Sequence, residues 1–233
     1  MAATACALVT CPVANASLTI SGSVGGAPTG VNKVNFDDLT LGSIGGTATG
    51  PSGTVGVSFV TDGQAVASAV IGQYAKPYLS GGNGTGFGAQ PTGEDTTTYL
   101  TSGISDGTTF GAAILTFSTP LKYIGLLWGS VDNYNTLSLY NGTTLVGTVT
   151  GSQVLASPNG DQGINGTLYV NITSTLAFDI VKATSTQYAF EFDNVAYSAV
   201  PEPTTMVAGA GALGLALLGI GRARRTSVVR IGK

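Results

Sequence analysis

The chain has 233 residues, with 9 Lys or Arg, 12 Asp or Glu and no His, which gives a formal net charge of −3. Without His, the chain cannot build His-based catalytic triads or His-containing zinc sites. Residues 17–199 hold eleven acidic and only four basic side chains. We therefore expect no nucleic-acid partner, because binding to phosphates depends on Lys and Arg.

Residues 1–16 (MAATACALVTCPVANA) are predicted to be a signal peptide whose basic start is missing. An apolar stretch is followed by Ala14-Asn15-Ala16, a small-x-small pattern that signal peptidase cleaves, but no Lys or Arg precedes it. Cleavage after Ala16 would remove both cysteines, Cys6 and Cys11. If the segment is retained, the two could instead form a small-loop disulfide.

Residues 17–199 are predicted to form one all-β extracellular domain, a β-sandwich or jelly-roll-like fold. Short runs rich in Val, Ile, Leu, Phe, Tyr and Thr are separated by Gly, Asn and Pro at intervals of about 8 to 12 residues, as in such folds. The first strands are expected at 34–36 and 55–60. Residues 73–105, rich in Gly and Pro, are interpreted as a long surface loop.

The strand pattern is stronger after residue 112, with strands predicted at 113–117, 121–128, 137–140, 144–150, 167–172, 177–182 and 188–197. Asn141-Gly142 predicts a type I′ hairpin, in which both residues have positive φ. The last strand is expected to break near Asp193-Asn194. Side-chain alternation before the break would bury Phe190 and Phe192 and leave Glu191 and Asp193 in solvent.

Trp128 is the only Trp in the chain, and its strand has two interpretations. As a core residue, its indole N–H would need an oxygen, which Asp132 or Asn135 could offer. As part of a carbohydrate platform, its ring would stack on sugars while nearby polar groups bind hydroxyls. The candidate glycan contacts are Trp128, Asp132, Asn133, Tyr134 and Asn135.

Three carboxylates suggest a structural calcium site. Asp37 and Asp38 end an early strand, and Asp193 lies in the last one; first and last strands often pair in jelly rolls. Such a pairing would bring together the oxygen ligands that Ca²⁺ prefers. Turn capping and a solvated acidic surface explain the same residues without a metal. No other cofactor is expected, because the sequence contains neither a P-loop nor a dinucleotide fingerprint.

Catalysis is not expected. The one enzyme class left open is a carboxylate-dependent glycosidase, in which Glu191 and Asp193 would act together because residues i and i+2 of a strand share a face.

The C-terminal region has three parts: Pro201-Glu202-Pro203, an uncharged apolar run at 204–221, and the basic residues Arg222, Arg224 and Arg225. Eighteen helical residues span about 27 Å, close to the thickness of a bilayer core, so 204–221 is predicted to be a transmembrane helix. Positive flanks stay in the cytoplasm. Residues 226–233 are therefore assigned to a cytoplasmic tail and 17–199 to the exported side.

This order of parts in residues 200–225 resembles the PEP-CTERM sorting signal. Residues 123–135 (YIGLLWGSVDNYN) and 190–197 (FEFDNVAY) also look like paired phrases of exosortase-dependent surface proteins. The resemblance implies that a membrane-embedded exosortase recognises and processes the tail after transient residence in the inner membrane. It assigns neither catalysis nor a ligand. An ordinary uncleaved anchor would explain the helix and the arginines but not Pro201-Glu202-Pro203.

These observations predict a bacterial protein of the cell surface or the biofilm matrix with a structural or adhesive role. The alternative is a lectin-like module that recognises exopolysaccharide, and the third possibility is the glycosidase.

Overall fold

The computed structural model describes residues 16–23, 25–103 and 111–199, and within these ranges the secondary structure is almost entirely β. In chain order the elements are β1 (Leu18–Ser23), β2 (Asn32–Val34), β3 (Gly45–Thr49), β4 (Thr54–Val60), β5 (Gln64–Val66), β6 (Tyr78–Leu79), β7 (Gly93–Glu94), β8 (Tyr99–Ser102), β9 (Gly111–Gly129), β10 (Asn135–Asn141), β11 (Thr144–Thr150), α1 (Gly151–Val154), β12 (Leu168–Ser185) and β13 (Phe190–Ala199). The prediction of an all-β fold is confirmed.

Within the described ranges, no helix has the length and apolar character needed to cross a membrane. The predicted transmembrane helix 204–221 lies outside the described residues. So do the sorting motif, the arginine cluster, the tail 226–233 and residues 1–15 of the predicted signal peptide.

Two long antiparallel strands, β9 and β12, organise the architecture. Eleven of the described strands form one sheet, and β6 pairs separately with β7. The first half of β9 lies between β12 and β4, and the half of β12 beside it also pairs with β10. The second half of β9 lies between β12 and β13, and there β12 also pairs with β1. The partners change where the register shifts between Thr173 and Phe178. The sheet thus divides into two wings, as in a sandwich.

The strands predicted at 113–117 and 121–128 are one continuous strand. Pro120, which suggested a break, is exposed at the point where β9 passes from one wing to the other. It is not paired with a residue of β4, β12 or β13. Since Pro cannot donate a backbone hydrogen bond, a change of partners is the place where a long strand tolerates it. The strands predicted at 167–172 and 177–182 merge into β12 in the same way.

One hydrophobic core contains residues from both wings, among them Val57, Leu139, Ile172 and Phe192. Trp128 is fully buried in this core and stacks on Phe190, with ring centroids 4.2 Å apart. The core interpretation of Trp128 is therefore confirmed.

The predicted hydrogen-bond partners of the indole are wrong. Trp128 Nε1 has no partner in the structure. Asp132 instead accepts a hydrogen bond from Tyr134, and Asn135 accepts one from Ser185.

Residues 67–98 cover the outer face of β9 and β13, the face opposite the main core. Leu79 and Phe87 from this segment pack against Leu127, Tyr169 and Ala196 of the sheet. We call residues 67–98 the cover segment. The prediction of a surface loop at 73–105 is therefore wrong, because the apolar side chains among its glycines bury themselves on the sheet, and the end of that range forms β8.

The cover segment also overturns the prediction that Glu191 and Asp193 are solvated. Their side chains do face away from Phe190 and Phe192, but their exposed fractions are only 2% and 0%. Alternation along a strand decides which face a side chain takes, and it does not decide whether that face meets water.

Two local predictions have mixed outcomes. The hairpin of β10 and β11 is confirmed, but Asn141 is the last residue of β10 and only Gly142 has a positive φ, because a register shift after Leu139 moves the turn. The predicted break in the last strand is confirmed: Asn194 has φ of 54° and the register shifts between Asp193 and Ala196.

Gly125 offers a test of how closely the outer face is packed. A Cβ at this position would lie 2.7 Å from the ring of Tyr169, whereas a Cβ on Gly56 would meet nothing closer than 3.4 Å. We expect Gly125→Ala to lower the free energy of unfolding by about 1 to 3 kcal/mol, as overpacking does. Gly56→Ala should change it by much less. Urea denaturation of both variants measures the difference, and equal effects would contradict the packing described.

Candidate functional site

A polar cleft of about 360 Å³ is the candidate site in the described part of the chain. Its walls are the start of the cover segment (69–75), the turn after β9 (130–134), the loop at 159–162 and the start of β13 (188–191). These four segments are distant in sequence. The sheet brings the last strand beside β9, and the cover segment closes the site from outside.

Glu191 forms the floor of the cleft. Its Oε1 accepts a hydrogen bond from the backbone N–H of Ala75 at 2.8 Å, and its Oε2 accepts one from the hydroxyl of Ser130. Ser130 has φ of 36°, which is rare for a residue with a side chain. Burial raises the pKa of Glu191 to about 7, although the hydrogen bonds from Ser130 and Ala75 lower it.

Asp132 and Tyr134 form one side of the cleft. The Tyr134 hydroxyl lies 2.6 Å from Asp132 Oδ2, to which it donates, and 3.0 Å from the backbone oxygen of Tyr188. Burial raises the pKa of Asp132, while the hydrogen bond from Tyr134 lowers it. Gly160 packs against this carboxylate: its N–H donates to the oxygen of Val131, and a Cβ there would lie 2.8 Å from Asp132 Oδ2.

Three tyrosines surround the cleft, namely Tyr74, Tyr134 and Tyr188, and all three are partly exposed. Asn159 and Gln162 add amide groups, and no Lys or Arg is among the described residues that line the cleft. Exposed aromatic faces beside amides and carboxylates suit the apolar faces and hydroxyl groups of sugars. The lack of basic residues disfavours an anionic ligand.

Of the five predicted glycan contacts, the structure places two in the cleft, Asp132 and Tyr134. Trp128 is in the core, and Asn135 is buried with its Oδ1 bonded to Ser185 at 2.8 Å. Asn133 is exposed but is not among the residues lining the cleft. Sequence reasoning missed Tyr74, Tyr188 and Gln162, because nothing in their local sequence signals that distant segments meet here.

The predicted pairing of early and last strands is confirmed, since Val34 of β2 pairs with Val195 of β13. The three carboxylates nevertheless have separate partners. Asp37 bonds to the side chain of Asn35 and the N–H of Thr98, and Asp38 to the N–H of Thr49. Asp193 accepts from Gln90 instead. Within the described ranges, no three His, Cys, Asp or Glu side chains gather closely enough to hold a metal ion.

The chain was compared with protein families and with curated proteins. No protein-family model matches the chain, and no curated protein matches it either.

The raised pKa of Glu191 predicts a pH-dependent stability. Because the folded state binds this proton more tightly than the unfolded state, the contribution is complete below the unfolded pKa of 4.5 and is lost as pH rises to about 7. The loss should be about 3 kcal/mol. Chemical denaturation in metal-free buffer at a series of pH values measures it.

Glu191→Gln is the matched variant, because Gln mimics the protonated acid. It should flatten the pH profile, while Glu94→Gln, at a side chain that is 71% exposed, should leave it unchanged. Burial also raises the pKa values of Asp132 and Asp193, which titrate in the same direction and are not removed by this substitution, so a smaller slope remains. A Glu191→Gln profile with the full wild-type slope would refute this assignment.

Proposed function

We propose that this chain is an exported bacterial protein of the cell surface or the extracellular matrix, sorted by an exosortase through residues 200–225, with a structural or adhesive role. The observation that carries the proposal is the order of parts in the tail: Pro201-Glu202-Pro203, the apolar run 204–221 and the arginine cluster. The last strand of the β-domain ends at Ala199, and a single residue, Val200, separates it in sequence from Pro201.

The apolar run and the arginines of the tail have separate physical roles in this proposal. An apolar helix of eighteen residues is stable in the bilayer core, and arginines at its inner end resist being pulled through. The prolines prevent the helix from extending outward into the β-domain. At the other end, Ser17, which follows the predicted cleavage point at Ala16, is hydrogen-bonded to Thr175.

Processing is tested by mass spectrometry of the C-terminus of the mature protein in an exosortase-containing host. We expect the wild-type protein to lack the apolar run and the arginines. Replacing Arg222, Arg224 and Arg225 together with Gln should leave the chain full-length and unprocessed, because the proposed enzyme recognises the three-part signal and its third part is then missing. Arg230→Gln is the control and should be processed normally. An intact full-length chain dissolved in the cytosol would refute the proposal.

A second candidate function, a lectin-like module for exopolysaccharide, is favoured by the cleft. Three partly exposed tyrosines, two carboxylates and three amides line one cavity of about 360 Å³, large enough for a sugar unit. The absence of Lys and Arg from its described lining points to neutral rather than acidic polysaccharides. An adhesive surface protein would use such a site to hold the matrix.

Affinity electrophoresis of the full chain in gels containing neutral or acidic polysaccharides tests this candidate. Tyr188→Ala and Asp132→Ala should each weaken retardation by a neutral polysaccharide roughly tenfold, the scale of a central binding contact. Tyr140→Ala, a partly exposed tyrosine of β10 outside the cleft, is the matched control and should bind like wild type. Lack of retardation with every polysaccharide would leave only the structural role.

The same assay addresses catalysis. Glu191 and Asp193, the predicted glycosidase pair, do not line one site, because only Glu191 and Asp132 reach the cleft. Each oxygen of Glu191 is already held by a protein donor, which favours a positioning role over proton transfer. Release of reducing sugar that disappears in Glu191→Gln would replace binding with hydrolysis as the function.

A further inference from the structure

A second acidic group lies on the outer face of β13, apart from the lining of the cleft. Asp95 of the cover segment and Asp193 of β13 both have exposed fractions of 0%, and their carboxylates interact directly. One oxygen of each is satisfied: Asp95 Oδ1 accepts from the N–H and hydroxyl of Thr97, and Asp193 Oδ2 accepts from Gln90 at 3.0 Å. The other two oxygens, Asp95 Oδ2 and Asp193 Oδ1, are buried without a hydrogen-bond partner.

A third buried oxygen without a partner adjoins this pair. Asn194 is also 0% exposed, and its Oδ1 has no hydrogen-bond partner. Its Nδ2 donates to Gln90 Oε1 at 2.6 Å, and the same Gln90 donates to Asp193, so Asn194 and Asp193 share one hydrogen-bond partner. The φ of 54° at Asn194 and the register shift beside it bring two consecutive residues, Asp193 and Asn194, to this spot.

The charge of the pair is not balanced by the protein. Neither Asp95 nor Asp193 forms an ion pair; the salt bridge found among the described residues joins Lys76 to Glu94 at 4.0 Å. Two buried carboxylates in contact are costly unless a proton or a cation neutralises them. A shared proton joins two oxygens and leaves Asn194 Oδ1 unsatisfied. A cation can take all three unpartnered oxygens as ligands.

We propose that Asp95, Asp193 and Asn194 bind a divalent cation, Ca²⁺, which fastens the cover segment to the bulge in β13. An all-oxygen set that mixes carboxylates with an amide is typical of calcium, whereas zinc prefers the nitrogen and sulfur ligands of His and Cys. The chain has no His. Gln90, which is hydrogen-bonded to both Asp193 and Asn194, also lines a cavity of about 370 Å³ in the glycine-rich part of the cover segment.

This site differs from the one predicted from sequence. It shares Asp193 with that prediction, but Asp37 and Asp38 are replaced by Asp95 and Asn194. The cover segment supplies Asp95 from more than fifty residues further along the chain.

Melting of the purified full chain in chelator and in millimolar calcium near neutral pH tests the proposal, with calcium binding measured in parallel by equilibrium dialysis. We expect one bound ion per chain and a rise in Tm of about 5 to 10 °C when free calcium is a hundredfold above its dissociation constant. Asp95→Asn and Asp193→Asn should abolish both effects. Glu94→Gln removes the exposed acid next to Asp95 and should retain both.

Direct dialysis of the wild-type chain keeps the test decisive even if a variant does not fold. No bound calcium and no rise in Tm would overturn the proposal, as would stoichiometric binding that survives Asp193→Asn. A shared proton would appear as a Tm that does not respond to calcium and falls with rising pH, with the pH effect reduced in Asp193→Asn to the part that Glu191 contributes, and this result would also overturn the proposal.

Discussion

The burial of the outer face of β13 is the constraint on which the rest of the structure depends. Glu191 and Asp193 alternate with Phe190 and Phe192, so they point away from the main core. In an uncovered sandwich both carboxylates would be hydrated and unremarkable. The cover segment removes that water, and each carboxylate must then be satisfied by protein groups or neutralised.

The two carboxylates are satisfied in different ways. Glu191 receives the N–H of Ala75 and the hydroxyl of Ser130, and its raised pKa still reflects incomplete compensation for burial. Asp193 accepts a hydrogen bond from Gln90 on one oxygen only, and its carboxylate lies beside that of Asp95. Burial and the charge of Asp95 together raise the pKa of Asp193 well above its usual range. Glu191 thus forms the floor of the cleft, whereas the Asp95–Asp193 pair remains without a compensating positive charge.

The cover segment therefore links the two proposed sites. Its beginning, residues 69–75, forms a wall of the cleft, and its end carries Asp95. An ion that fastened the end of the segment would limit its motion and help to pre-organise the wall that meets a ligand. Under the proposed export, a calcium-dependent cover would couple ligand binding to an ion that is abundant outside cells.

The sequence by itself determined the β class, the C-terminal strands, the hairpin of β10 and β11 and the break at Asn194, whereas it left Trp128 open between the core and a carbohydrate platform. These follow from side-chain alternation and from turn residues, which act over a few neighbours. It also placed Asp132 and Tyr134 in one candidate site. Only the tertiary structure decided whether the outer face of the sheet is buried. The cover segment lies about a hundred residues before β13 in the chain and yet packs on its outer face. The burial of Glu191, the meeting of Asp95 with Asp193 and the arrival of Tyr74 and Tyr188 at the cleft all depend on that long-range contact, which no local pattern encodes.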